Sequence, residues 1–279
     1  MPGPPTFEGM EVGDARTGAP SLRDAHARAS VRHRLERAGS ISPDEEAKEL
    51  LRAAGDGAGE LDDLLERRLR GEPLAWIVGS TVFCGIRVRI DPGVYVPRAQ
   101  TERLARRAVS LLPDHGVAVD LCTGSGAIAV VLLSERPAAT VIATDRDPVA
   151  VTSAHRNGVE ALLGDLDEPL PRSLEHRVYV LTAVPPYVPT EELHLLPRDV
   201  LAFEPRDALD GGAGGTAILE RVVRLAPRWL RPGGTLLVEI GGDQAHALAG
   251  PLDVAGLSVV EIHRDAEGDD RGLEAVLRR

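Results

Sequence analysis

Three carboxylates and two glycines carry the clearest chemical signal in the sequence. In VAVDLCTGSGAIA, Asp120 closes a short apolar run, and Gly124 and Gly126 follow before an Ala-rich helical pattern. A glycine has no Cβ, so its backbone can press against a ligand and take the dihedrals of a tight turn. Taken alone, GxG also fits a plain strand-to-helix turn. The stretch satisfies GxGxxA through Ala129, so a nicotinamide cofactor is one reading. Asp120 opposes it, because a carboxylate beside the turn repels a pyrophosphate. The same carboxylate attracts an ammonium group and a sulfonium cation, both of which S-adenosylmethionine carries. Asp145 ends the next apolar run, 19 positions after Gly126, where it can take two ribose hydroxyls. Asp165, in LLGDLDEPL, follows a third run and would lie beside the adenine; a Gly164–Asp165 turn is the simpler alternative. With their neighbours Thr123, Arg146 and Leu166, these residues form the expected set for a methyl donor.

Other chemistries find less support. Ser125 stands in GSG, not in the GxSxG elbow of a hydrolase. DRD, Asp145 to Asp147, could suggest a metal, but ribose contact and a helix cap by Asp147 before Pro148 explain it more simply. The 8 histidines are scattered, His26 and His33 lie seven apart, and neither HxH nor HExxH occurs, so no metal site is expected. Glu204 and Glu239 read as structural carboxylates rather than general bases. Cys84 and Cys122 lack CxxC spacing, which argues against a disulfide framework or a thiolate metal site; both read as buried thiols.

The elements that must position these residues can be read from periodicity. Residues 1–20 lack an apolar period and read as a disordered leader. Three helices follow: one from Ser21 to about Ala38, with Leu22, Ala25, Ala29, Val31 and Leu35 on one side; one opened by a capping box in SPDE and running to about Ala54; and one over Glu60 to Leu69. Between Trp76 and Ile90, alternation in VFCGIRVRI predicts a hairpin turning at Gly85. A helix over Gln100 to Leu112 precedes a region in which VAVDL, TVIATD, VYVLTAV and GTLLVEI alternate with helical stretches. That order implies a mainly parallel sheet with helices on both faces.

Bulk properties narrow the partners. A chain of 279 residues with 43% hydrophobic side chains can form one large domain and a smaller one. The formal charge of −11 disfavours a phosphate backbone as partner, so direct nucleic-acid binding is not expected. No apolar run is long enough for a membrane span and no signal-peptide pattern begins the chain, so a cytoplasmic location is expected.

From about Asp44 onward the chain resembles the HemK/PrmC-type protein glutamine N5-methyltransferases, which methylate the glutamine of the GGQ motif in peptide chain release factors. GEPLAWIVGSTVFCGIRVRIDPGVYVPRAQTE (Gly71 to Glu102) is similar to the family's linker, and DLCTGSGAIA to its donor loop. EPRDALDGG, LRPGGTLLVEIGGDQA and RDAEGDDRGLEA resemble its later landmarks, the last as a closing hairpin. The resemblance implies an α/β protein with a Rossmann-like, seven-stranded class I methyltransferase sheet, its final strand antiparallel, and a small N-terminal helical domain. The expected organisation is a substrate-recognition domain over 21–75, a β-hairpin linker over 76–97 and an S-adenosylmethionine-dependent methyltransferase domain over 98–279. The implied partner is a release factor or another protein substrate.

The family's catalytic NPPY aligns with Val184, Pro185, Pro186 and Tyr187 in TAVPPYVP. In that motif the asparagine oxygen and the first proline carbonyl accept the two hydrogens of the substrate amide, and the tyrosine packs on its plane. Val184 offers no side-chain acceptor. Two further departures accompany it: Tyr179 replaces an acid, and VPRAQTE, with Ala99 and Gln100, stands where the family reads close to IPRPETE. Read together, the three are expected to surround one pocket. Methylation of a different acceptor, or donor binding without turnover by an interaction module, stay open at this point.

Overall fold

A computed structural model describes residues 22–55 and 57–279. The leader expected over residues 1–20 lies outside the described residues. The chain divides into two compact units between Leu65 and Glu66.

The first unit holds α1 (Leu22–Arg37), α2 (Pro43–Ala54) and most of α3 (Ala58–Leu69). Pro43 begins α2 with its ring pre-set for a helix, and Asp44, Glu45 and Glu46 oppose the positive end of the dipole. Ala47, Leu50 and Ala54 recur on one buried face. The expected capping box does not form. Ser42 makes no side-chain cap, and its own N–H is donated to Ser40 Oγ at 3.2 Å, so Glu45 has no donor to reach back to. In α1 only part of the expected face is buried: Val31 and Leu35 are, whereas Ala25 and Ala29 are exposed.

The second unit opens with a short helix, α4 (Leu74–Val78), and a hairpin of β1 (Ser80–Phe83) and β2 (Ile86–Arg89). Helix α4 corrects the expectation that the hairpin starts at Trp76. Trp76 is buried and donates its indole N–H to the Val94 carbonyl at 2.9 Å. Cys84 and Gly85 form the two-residue turn with φ of 52° and 82°, the doubly left-handed combination that matches strand twist. The amide of Cys84 is held by Glu102 Oε1 at 3.0 Å, which offsets the strain of a non-glycine there. Both cysteines are half-buried rather than buried.

Next come α5 (Thr101–Leu111), β3 (Val117–Leu121), α6 (Ala127–Glu135), β4 (Thr140–Asp145), α7 (Pro148–Arg156), β5 (Glu160–Leu163) and β6 (Val178–Ala183). They are followed by α8 (Arg198–Phe203), α9 (Ala217–Trp229), β7 (Leu230–Glu239), α10 (Gln244–Ala247), α11 (Ala249–Val254), β8 (Leu257–Arg264) and β9 (Asp270–Leu277). The sheet runs β5-β4-β3-β6-β7-β9-β8, parallel except for β9, which is antiparallel to both neighbours. This is the expected seven-stranded α/β sheet with its last strand reversed.

Its central strands are buried on both faces, so they read as continuous apolar runs rather than alternating ones. Alternate residues nonetheless part to two cores: Val119, Leu181 and Leu236 pack with α9, while Ala118, Val180 and Leu237 pack with α5 and α6. Each such fully buried leucine contributes about 1.5–3 kcal/mol. Strand order reverses between β3 and β6, and a crevice opens beyond the carboxyl ends of strands at such a switch point.

At the far end of the sheet, His263 and Glu274 are buried and Arg107 forks onto Glu274 at 2.7 and 2.8 Å. His263 faces Glu261 through Nδ1 at 3.2 Å and Glu274 through Nε2 at 3.7 Å. Arg103 also reaches Glu261 at 3.2 Å, so each carboxylate beside His263 already pairs with an arginine.

Candidate active site

The chain after β3 bends through alternating left-handed residues: Cys122, Gly124 and Gly126 have φ of 53°, 56° and 81°. The two glycines then differ in what surrounds them. A Cβ at Gly124 would meet nothing within 4 Å, whereas one at Gly126 would lie 3.0 Å from Val159 Cγ2 and 3.2 Å from Ala154 Cβ. Gly124 leaves room for a ligand. Gly126 begins α6 and lets the loop pack on α7, and it does not line the cavity. Asn157, at the end of α7, donates to the Ser125 carbonyl at 2.8 Å and pairs with both backbone groups of Arg89 at 2.9 Å. One amide therefore ties the loop to the hairpin.

Asp120 is 2% exposed, and its carboxylate accepts the hydroxyls of Thr123 and Thr182, each at 2.6 Å. Burial pushes its pKa up to about 6, and the two hydroxyls moderate the rise. Asp145 is half-buried and accepts the amides of Gly124 at 2.8 Å and Asp147 at 3.0 Å. Burial raises its pKa as well, and those backbone bonds pull it back. Each oxygen keeps a lone pair beyond these bonds. Arg146 pairs with Asp207 at 2.8 Å, and Asp165 with Arg221 at 2.8 Å. Leu166 takes φ of 52° and its carbonyl accepts from Thr144 Oγ1 at 2.7 Å. Asp147 caps α7 by accepting from the Val149 amide at 2.8 Å.

Val184 to Tyr187 follow β6, the strand beside β3. The loop is pinned from several sides. Gln244 donates to the Tyr187 carbonyl at 2.7 Å and accepts from the Gly241 amide at 2.9 Å. Val188 exchanges backbone bonds with Leu209 and Gly211 at 3.0 and 2.8 Å. The segments EPRDALDGG and EIGGDQ are thus the braces of this loop.

Below it lies a polar knot. Glu239, 1% exposed, accepts from Tyr187 Oη at 2.9 Å, Gln100 Nε2 at 2.9 Å and Thr101 Oγ1 at 2.5 Å. Burial, and then Glu239, raise the Tyr187 pKa, so the phenol stays protonated. Glu204, also buried, binds Arg98 at 2.6 Å, and Arg98 stacks over Tyr95 at 4.8 Å.

A cavity of about 530 Å³ joins these parts. Asp120, Thr123, Gly124, Asp145, Arg146, Asp165 and Leu166 line it together with Val184, Pro185, Pro186 and Tyr187. Of the site residues expected from sequence, Gly126 alone is outside. Ala99 and Gln100 are on the lining, but Tyr179 is not: it stands near the start of β6, five residues before Val184, with Arg231 stacked on its ring at 4.5 Å. Two of the three departures, Val184 itself and the Ala99–Gln100 pair, therefore share the pocket, rather than all of them. Tyr95, Arg98, Asn157, Thr182 and Gln244 were not singled out from sequence. Their roles depend on contacts between distant segments; Tyr95, Arg98, Thr182 and Gln244 fall inside quoted family segments, but nothing local to those segments gives them a role.

No family model matches the chain. Among curated proteins, a release factor glutamine methyltransferase of Geobacter sulfurreducens is 36% identical over 214 residues, covering 75% of this chain and 74% of its own length. One from Cereibacter sphaeroides is 37% identical over 230 residues, with 80% and 81% covered. One from Bordetella pertussis is 40% identical over 216 residues, with 75% and 79% covered.

Proposed function

Because the chain belongs to the release factor glutamine methyltransferase family, we propose that it transfers a methyl group from S-adenosylmethionine to the side-chain amide of a glutamine in a peptide chain release factor. The observation that carries this is the single cavity shared by the loop after β3 and the loop after β6. Its size suits a nucleoside-sized ligand. Two local features fit the donor: the open space over Gly124, and Ser125 Oγ, which is buried on the lining without a hydrogen-bond partner among the described residues.

Asp145 would take the ribose hydroxyls, Asp165 and Leu166 would flank the adenine, and Arg146 would border the entrance. Asp120, held by two threonines, would set a negative potential near the donor's cationic groups. When bound, S-adenosylmethionine supplies a methyl carbon on a positively charged sulfur. An amide nitrogen is a weak nucleophile, so the protein's task is to orient it and to accept its hydrogens. Pro185 offers a carbonyl and Tyr187 a flat face, fixed by Glu239 and Gln244. No general base is required if the amide proton leaves after transfer.

The helical first unit is read as the part that recognises the release factor. None of the described helices is long and apolar enough to cross a membrane, and a cytoplasmic site of action fits a translation substrate. Incubation with methyl-labelled donor and purified release factor tests the assignment. Label on the GGQ glutamine is expected. Failure to label, by protein that still binds S-adenosylhomocysteine, would overturn it, and labelling of other proteins in a cell extract would identify a different acceptor.

A further inference from the structure

Val184 leaves the acceptor loop without the side-chain oxygen that the family pattern places there. A second amide lines the same cavity. Gln100 Nε2 lies 3.0 Å from Tyr187 Oη and 2.9 Å from Glu239 Oε1. Glu239 also takes the hydroxyls of Tyr187 and Thr101, so it acts as acceptor in every contact, and only the nitrogen end of Gln100 can satisfy it. The orientation of the amide is thereby set. Its other end, Oε1, makes no hydrogen bond to any described residue.

We propose that Gln100 Oε1 accepts one N–H of the substrate glutamine, replacing the asparagine oxygen missing at position 184. The proposal rests on the glutamine methyltransferase reading. A substrate NH2 group held only by the Pro185 carbonyl would leave one N–H unpaired in a desolvated cleft, slowing transfer by about ten- to a hundredfold. A tethered carbonyl removes that loss with little ordering entropy, because Tyr187 and Glu239 already hold the side chain. The departure at position 100 has the same logic. An acid there would place a second carboxylate against buried Glu239, whereas glutamine supplies a donor to Glu239 and keeps an acceptor on a side chain that lines the cavity. The changes at 100 and 184 thus form one coupled exchange of the acceptor from one wall to another.

The test uses the full chain with purified release factor and labelled donor under single-turnover conditions, beside calorimetry with S-adenosylhomocysteine. Gln100→Met should slow transfer about ten- to a hundredfold while the S-adenosylhomocysteine affinity stays within about twofold. Adding Val184→Asn to that variant should recover about tenfold or more, a rescue that a purely structural role for Gln100 would not give. Transfer by Gln100→Met at the native rate, or no recovery in the double variant, would overturn the proposal. Should Gln100→Met fail to bind S-adenosylhomocysteine, Val184→Asn alone decides. Beside a working acceptor it gains less than about threefold, and a gain of about tenfold or more means that the native site lacks one. If the native chain does not label release factor at all, the underlying reading fails, and the proposal with it.

Discussion

The hydroxyl of Tyr187 donates to Glu239 at 2.9 Å and so joins the loop after β6 to the end of β7. Glu239 is 1% exposed and satisfies Gln100 and Thr101 as well. Glu239→Leu removes one acceptor but strands three donors, so it should destabilise the protein by about 2–5 kcal/mol. Tyr187→Phe removes one donor and leaves the carboxylate two others, at about 1–2 kcal/mol. Urea denaturation of the two variants checks the order, which reverses if the knot is not a shared network.

Gly124 and Gly126 should separate binding from stability. Both have positive φ, so alanine at either costs about 1 kcal/mol from backbone strain. At Gly126 the new methyl also presses on Val159 and Ala154, raising the expected loss to about 2–4 kcal/mol. At Gly124 it enters open space on the cavity wall, so the larger effect should be on S-adenosylhomocysteine affinity, about tenfold or more. Thermal unfolding and calorimetry on the two variants distinguish these outcomes.

Much of this arrangement is legible in the sequence, and the reasons differ by element. The order of strands and helices follows from apolar runs that only a doubly covered parallel sheet produces. Asp120, Asp145 and the glycines are visible because local spacing dictates a strand, a turn and a helix. The hydroxyls that clothe Asp120 are less visible: Thr182 lies on another strand, and pairing between β3 and β6 brings it near. Gln100 reads as a departure from a pattern, and its function emerges only where α5 meets Glu239 and Tyr187. Tyr179 shows the opposite failure. Five residues of extended strand carry it away from Val184, so closeness in sequence overstated its part in the site.

The raised pKa of Asp120 gives a stability change with a defined sign. Its folded value of about 6 exceeds the ordinary 3.8, so the folded state holds the proton more tightly than the unfolded state. The group's favourable contribution is full below pH 3.8 and is lost as pH rises through about 6, a change of roughly 3 kcal/mol. Asp120→Asn should abolish this part of the pH dependence. Denaturation midpoints of both proteins from below pH 4 to pH 7 test it: their difference should shift across that window, and a constant difference rules the assignment out. If Asp120 acts on the donor as proposed, affinity for S-adenosylmethionine should rise over the upper part of the same window, as its carboxylate becomes charged.

Gly215 should be needed for the acceptor loop and not for the donor. Its φ is 70°, and a Cβ there would run into the Tyr187 carbonyl and Gln244 Nε2, the two partners whose 2.7 Å bond holds the loop. Alanine must therefore push Tyr187 away from its brace, and a displacement of about 1 Å in an orienting group can cost about a hundredfold in rate. The residues proposed to hold the donor lie at the carboxyl ends of β3, β4 and β5 and in the turns that follow, and none of them is among the atoms that a Cβ at Gly215 would meet first. Gly215→Ala should lower methyl transfer by about ten- to a hundredfold with S-adenosylhomocysteine affinity nearly unchanged. Gln244→Ala, which deletes the brace without adding bulk, should give a smaller loss of the same kind, about three- to tenfold. Equal losses of donor affinity and rate in either variant would mean that the two loops are not independently held.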